Sequence, residues 1–118
     1  MVALVLLSGC ASKLGAPEPI SPKAGANFHH FPRTTELRWT PVGGAASYSV
    51  EVDCFHCCEV GKWCTEVGQP RMAASRIRGT SYQFSWVGAN LGRWRVWAVD
   101  KDGHQGAKTE WQDFLYSQ

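Results

Sequence analysis

Long apolar runs and concentrated positive charge are both missing from this sequence. No stretch approaches the roughly 18 to 20 consecutive apolar residues that a membrane-spanning helix requires. The arginines are scattered, no run of Lys or Arg forms a basic patch, and the formal net charge is only +2. Nucleic-acid-binding proteins usually concentrate such charge on one surface. The sequence therefore predicts neither a transmembrane helix nor a nucleic-acid partner.

Motifs that carry catalysis are also missing. There is no Gly-x-Ser-x-Gly motif and no glycine-rich loop of the kind that cradles phosphate. The four histidines, His29, His30, His56 and His104, belong to no Ser/His/Asp or paired-carboxylate arrangement in the sequence, and solvated loop positions account for them. We therefore expect a protein that is not an enzyme and needs no cofactor.

Residues that favour strands and turns are abundant. Strong helix formers are sparse, whereas the chain has 12 Gly, 6 Pro and 6 Trp, with Val and Thr throughout. Short apolar alternations separated by turn residues predict an all-β, seven-strand antiparallel β-sandwich over residues 19–118. The predicted strands are Glu18–Pro22, Glu36–Thr40, Ser47–Cys54, Trp63–Val67, Ser81–Trp86, Arg93–Asp100 and Glu110–Tyr116.

Alternation along the predicted strands assigns their faces. In the third strand, Tyr48, Val50 and Val52 share the side expected to face the core, and Ser49, Glu51 and Asp53 share the other side. In the sixth strand, Trp94, Val96 and Ala98 are expected to face the core, with Arg95 and Trp97 on the opposite side. One face of this sheet is therefore apolar and the other mixes charged groups with tryptophan.

The N-terminus carries a short apolar run followed by small residues and a cysteine. Residues 2–7 read Val-Ala-Leu-Val-Leu-Leu, and Ser8 and Gly9 precede Cys10. Leu7-Ser8-Gly9-Cys10 resembles a lipobox, the motif at which bacterial lipoproteins are acylated on the cysteine and cleaved before it. The resemblance implies a shortened signal segment at residues 1–9, then lipidated Cys10 and a flexible tether reaching residue 18. It also implies a membrane-anchored location in the cell envelope, facing the periplasm or the exterior.

Three segments of the predicted sandwich resemble strands of a known domain family. Leu37–Val42, Tyr48–Val52 and Trp94–Asp100, in this order and spacing, are similar to strands B, C and F of bacterial fibronectin type III domains. The resemblance implies that Trp39 packs in the core and that the domain serves adhesion, spacing or ligand presentation. One departure is that Gly92 stands where the family has a strand F tyrosine.

All cysteines other than Cys10 lie within eleven residues. They are Cys54, Cys57, Cys58 and Cys64. Outside the cytoplasm disulfides are the default, and four thiols allow three pairings that the sequence does not separate. Two alternatives stay open: a zinc site formed by these thiols with His56, and a thiol redox site using Cys57 and Cys58.

Several tryptophans fall where they could bind a ligand, because exposed indoles anchor both sugar rings and protein partners. The candidate ligand-binding residues are Trp63, Trp97, Trp111, Arg95 and Glu51. We predict a non-catalytic envelope lipoprotein module for protein binding or structural presentation, with a disulfide-stapled loop at residues 54–64. The alternatives are a carbohydrate-binding module that uses exposed tryptophan, and an envelope protein for thiol redox chemistry or metal binding. The expected partners are the membrane, through the lipid, and a protein or glycan.

Overall fold

A computed structural model describes residues 14–86 and 88–117, which form two β-sheets packed face to face. The described strands are β1 Pro19–Ser21, β2 Ala26–Phe28, β3 Thr34–Trp39, β4 Ser47–Cys54, β5 Met72–Ile77, β6 Ser81–Ser85, β7 Leu91–Val99, β8 Gln105–Lys108 and β9 Gln112–Tyr116. One sheet has the order β1-β3-β6, and the other has the order β2-β9-β7-β4-β5 with β8 paired to β7. The predicted all-β sandwich is confirmed.

The number and pairing of the strands differ from the prediction. The described residues contain nine strands rather than seven, and β2 pairs with β9 in parallel. β2, β5 and β8 were not predicted, because their sequences are poor in β-branched and aromatic residues. They form because the edges of the larger sheet offer them backbone partners, which the local sequence does not reveal.

The predicted strand Trp63–Val67 is wrong, since Cys64–Val67 forms a 3-10 helix. The Trp63 N–H donates to Glu66 Oε1 at 2.7 Å, and the Thr65 N–H donates to Asp53 Oδ1 at 3.1 Å. The backbone N–H groups of Trp63 and Thr65 are therefore satisfied by side chains, so this segment does not need hydrogen bonds from a neighbouring strand.

The core lies where alternation placed it. Val50 and Val52 of β4 and Trp94 and Val96 of β7 are each at most 1% exposed. β4 and β7 form the long central pair of the larger sheet, in register from Ser47 opposite Val99 to Cys54 opposite Gly92. Other fully or nearly buried side chains complete the interior: Leu37, Trp39, Tyr48, Phe84, Trp86, Ala98, Phe114 and Tyr116. The core placement of Trp39 implied by the family resemblance is confirmed.

Residues 14–18, the described part of the predicted tether, lie against the sandwich. Leu14 packs on the core, Pro17 is buried, and the Glu18 N–H donates to Thr40 Oγ1 at 2.8 Å. The predicted signal segment and Cys10 lie outside the described residues. Within the described part of the chain, no helix is long and apolar enough to cross a membrane.

The strand directions separate two ends of the sandwich. Leu14 lies close to Gly44, just before β4 begins, and its carbonyl accepts a hydrogen bond from the Ala107 N–H of β8 at 3.2 Å. At the other end of β4, Cys54 leads into the loop 55–63. Eight residues of strand span about 25 Å at roughly 3.3 Å per residue. The N-terminal side of the described chain and this loop therefore lie at opposite ends of the domain.

Candidate functional site

The four clustered cysteines form two disulfides, Cys54–Cys57 and Cys58–Cys64, with Cα atoms 5.6 and 5.3 Å apart. This confirms the disulfide prediction and selects one of the three pairings. Cys54 and Cys64 are buried beside the core, whereas Cys58 is exposed. The bridges therefore fasten an exposed loop to the buried end of the sheet at two points.

The disulfides also bear on the zinc and redox alternatives. The sulfur atoms of the zinc set are held in bridges, and His56 Nδ1 accepts a hydrogen bond from the Gly61 N–H at 2.6 Å. The redox alternative named Cys57 and Cys58 as the working pair. These two cysteines belong to different bridges, Cys57 to Cys54 and Cys58 to Cys64.

We call residues 54–64 the stapled loop. Its two arms meet at an isolated bridge between Phe55 and Trp63, whose ring centroids are 5.2 Å apart. At its tip Val60 is 83% exposed, next to Glu59, which forms an ion pair with Lys62 at 3.1 Å. The loop is thus a cross-linked hairpin with an apolar residue at the solvent-exposed tip.

Four of the five predicted ligand-binding residues converge on the outer face of the larger sheet. Arg95 donates to Glu51 Oε1 at 2.7 Å, and its guanidinium lies 4.2 Å from the centroid of the Trp111 ring. The Arg93 guanidinium lies 4.2 Å from Trp111 and 4.1 Å from Trp63. We call Glu51, Arg95, Trp111, Arg93 and Trp63 the Trp-Arg ladder. It joins the sheet to the stapled loop through cation–π contacts.

Asp53 and Arg93 are site residues that the sequence reasoning did not select. Asp53 is 0% exposed although it points to the outer face, because the 3-10 helix covers it. Its carboxylate accepts from Thr65 Oγ1 at 2.6 Å and from Arg93 Nε at 3.1 Å, and the Arg93 Nη2 lies 3.0 Å from it. Alternation does place Asp53 beside Glu51 and Arg93 beside Arg95. The sequence signal that could have identified Asp53 and Arg93 is that they lie on the same face of their strands as Glu51 and Arg95.

Trp97 is the fifth predicted ligand-binding residue, and its predicted exposure is wrong. It points away from the core as expected, but it is only 7% exposed. β8 pairs with β7 at this position, and Lys108 places its ammonium 4.3 Å from the centroid of the Trp97 ring. The unpredicted strand β8 thus covers the indole.

Two polar clusters elsewhere are parts of turns and termini. Asp100 and His104 lie in the β7–β8 connection, where their ligating atoms and those of Asp102 are within 4.8 Å of one another. The backbone N–H of His104, donating to Asp100, lowers the pKa of that carboxyl below its ordinary value. Ser117 Oγ lies 3.0 Å from Asn27 Oδ1 and 2.9 Å from His29 Nδ1, in a polar cluster near the described C-terminal end.

The two packed sheets define a fibronectin type III-like β-sandwich. The structure is similar to a Fn3-like protein from Clostridium thermocellum, with a TM-score of 0.56 and 19% identity over 92% of this chain and 96% of that chain. It is also similar to the chicken CNTN1 FN1-FN3 domains, with a TM-score of 0.48 and 15% identity over 88% of this chain and 34% of that one. No family model and no curated protein matches the sequence. At 19% identity, the likeness to the Clostridium thermocellum protein shows the fold alone.

Proposed function

We propose that the protein is a non-catalytic lipoprotein of the cell envelope whose sandwich presents the stapled loop to a protein partner. The observation that carries this proposal is the placement of Leu14 and the stapled loop at opposite ends of the domain. Cys10, the proposed lipidation site, precedes Leu14 by only four residues, which span at most about 14 Å when extended. A lipid on Cys10 would hold the Leu14 end near the membrane. The stapled loop would then face away from it.

The stiffness of the loop supports presentation. Two disulfides, the Phe55–Trp63 ring contact and the Arg93 guanidinium over Trp63 all restrain it. A loop that is ordered before binding loses less conformational entropy when a partner docks. Val60 gives the tip an apolar side chain that a partner could bury.

The carbohydrate alternative has less support. Sugar rings stack on free indole faces, but the guanidinium groups of Arg93 and Arg95 lie over Trp111, and Arg93 also lies over Trp63. Trp97 is buried beneath Lys108. The Trp-Arg ladder is better suited to bracing the stapled loop than to stacking on a sugar.

The test examines acylation at Cys10 and partner contact at Val60 of the stapled loop in one set of bacterial strains. We expect the full chain to be recovered in membranes with an acylated mature N-terminus at Cys10, and Cys10→Ser to remain uncleaved or become soluble. A photoreactive benzoylphenylalanine at position 60 should give an adduct of one defined mass in intact cells. The readouts are mass spectrometry of the N-terminus and immunoblotting of the adduct.

Gln83 is the matched control position, because it is exposed on β6 in the opposite sheet. The same photoreactive residue there should give no such adduct. An unmodified Cys10 would exclude the lipoprotein, and equal adducts at positions 60 and 83 would exclude the stapled loop as the presented surface.

A further inference from the structure

The edge strand β5 is an unpaired side of the larger sheet. It pairs with β4 on one side, and no described strand pairs with its other side. Such an edge offers a row of backbone donors and acceptors to an incoming strand. Its outer surface is built from small exposed residues, Ala73 and Ser75, so that another backbone could approach closely.

Three arginines flank this edge without a partner of opposite charge. Arg71, Arg76 and Arg78 are exposed, and among the described residues none of them makes an ion pair. The neighbouring carboxylates of Glu51 and Asp53 are already bound by arginines of β7. The unpaired charge along β5 is therefore positive.

A β-bulge near the C-terminal end of β5 limits how many of its residues an added strand can pair with. Tyr48 lies opposite Ile77 and Val50 opposite Ala74, so β5 has one residue more than β4 in this interval. Arg76 in the bulge adopts a left-handed backbone with φ of 59°. Bulges interrupt regular pairing, which leaves the segment from Arg71 to Ser75 for an incoming strand.

Shallow recesses run beside the edge. The middle one, of about 310 Å³, is lined by Ser49, Ala73, Ser75 and Trp97 among others. A second, of about 290 Å³, contains Arg71 beside His56 of the stapled loop. A third, of about 260 Å³, contains Arg76 and Arg78 with Lys101. The recess at each end of β5 therefore contains basic side chains. The recess in the middle is lined by small residues and the Trp97 indole.

We propose that β5 is a docking site for an extended acidic segment of a partner protein, which pairs with β5 as an added strand and places carboxylates against Arg71, Arg76 and Arg78. Charge complementarity selects this occupant. A second copy of this chain would bring its own arginines onto the same edge, and like charges opposed across a strand pair are destabilising. The site lies apart from the tip of the stapled loop and does not depend on it.

The test uses synthetic peptides with the full chain carrying Cys10→Ser, followed by ¹⁵N chemical-shift mapping. The probe is N-acetylated, C-amidated Glu-Val-Thr-Val-Thr-Val-Glu, whose two carboxylates lie on one face and are spaced to reach Arg71 and Arg78. We expect the largest shifts in β5 and β4, and binding weakened about tenfold or more by the double substitution Arg71→Glu with Arg78→Glu. The same peptide N-methylated at every residue should not bind, because it retains the charge but has no N–H on either edge with which to pair.

Arg38→Glu is the matched control, since Arg38 is exposed on β3 in the other sheet and also lacks an ion pair among the described residues. It should leave binding unchanged, and thermal unfolding of each variant verifies the fold. Equal binding of the N-methylated peptide, equal loss with Arg38→Glu, shifts centred on the stapled loop or no binding at millimolar peptide would each overturn the proposal. None of these outcomes bears on crosslinking at position 60.

Discussion

At the residue scale, Gly92 occupies a position in β7 where the surrounding core leaves no room for a side chain. Gly92 begins the regular part of β7 opposite Cys54 and Phe114. A methyl group on its Cα would lie 2.5 Å from the Phe114 ring and 2.8 Å from Trp86. Any side chain at this position would therefore collide with aromatic rings of the core. Glycine is required here by the close approach of these rings.

We predict that Gly92→Ala lowers the free energy of unfolding by about 1–3 kcal/mol, because aromatic rings must shift to admit the methyl group. Gly79→Ala is the control, since no atom lies within 4 Å of the position that its methyl would occupy. Both substitutions restrict the unfolded chain alike, so their difference isolates packing. Urea denaturation of the two variants measures it, and equal midpoints would contradict the packing explanation.

At the element scale, the 3-10 helix Cys64–Val67 is fastened to β4 and β7 by one buried carboxylate. Asp53 accepts hydrogen bonds from Thr65 of this helix and from Arg93 of β7. The Cys58–Cys64 bridge adds a covalent link at the start of the same helix. Sheet and stapled loop are therefore coupled through a network in which the charge of Asp53 has no access to water.

Arg93→Ala should destabilise the protein by about 3–5 kcal/mol, because it leaves the buried Asp53 carboxylate without its cation. Arg95→Ala should cost about 1 kcal/mol or less, since the Glu51 partner remains partly exposed. Adding Asp53→Asn to Arg93→Ala should recover part of the loss, which a double-mutant cycle in urea would measure. Equal costs for the two arginine substitutions would show that Asp53 does not depend on Arg93.

At the scale of the whole molecule, the fold rests on the core between the two sheets more than on the disulfides. The bridges close short segments, with partners three and six residues apart. Short loops remove little entropy from the unfolded chain, about 2 kcal/mol for each bridge. Most buried side chains of the core, including Leu37, Trp94 and Phe114, are contributed by strands outside the stapled loop.

We expect reduction of both disulfides to lower the melting temperature by on the order of 10–20 °C while unfolding stays cooperative. Thermal unfolding would be followed by circular dichroism and tryptophan fluorescence, with and without reductant. A variant with all four loop cysteines replaced by alanine should melt like the reduced protein and should not respond to reductant. Loss of the cooperative transition on reduction would show that the bridges are needed for the fold itself.

The sequence by itself determined the class of fold, the central strands and their faces. Alternation in the predicted strands Ser47–Cys54 and Arg93–Asp100 is a local property, because side chains of a strand point to opposite faces in turn. It predicted the buried valines of β4 and the outward positions of Glu51 and Arg95 correctly. The clustered cysteines likewise indicated a stapled loop without any knowledge of its shape.

Three features were decided only by the tertiary structure: the edge strands of the larger sheet, the pairing of the cysteines, and the meeting of the Trp-Arg ladder residues on one face. β2, β5 and β8 have weak local preference and exist because a neighbouring strand offers backbone partners. The 3-10 helix is held where Thr65 meets Asp53 and Arg93, which are 12 and 28 residues away in the sequence. Trp97 is buried, and Trp63 and Trp111 both contact Arg93, for the same reason. Exposure and contact are set by neighbours from distant parts of the chain, which alternation along a single strand does not describe.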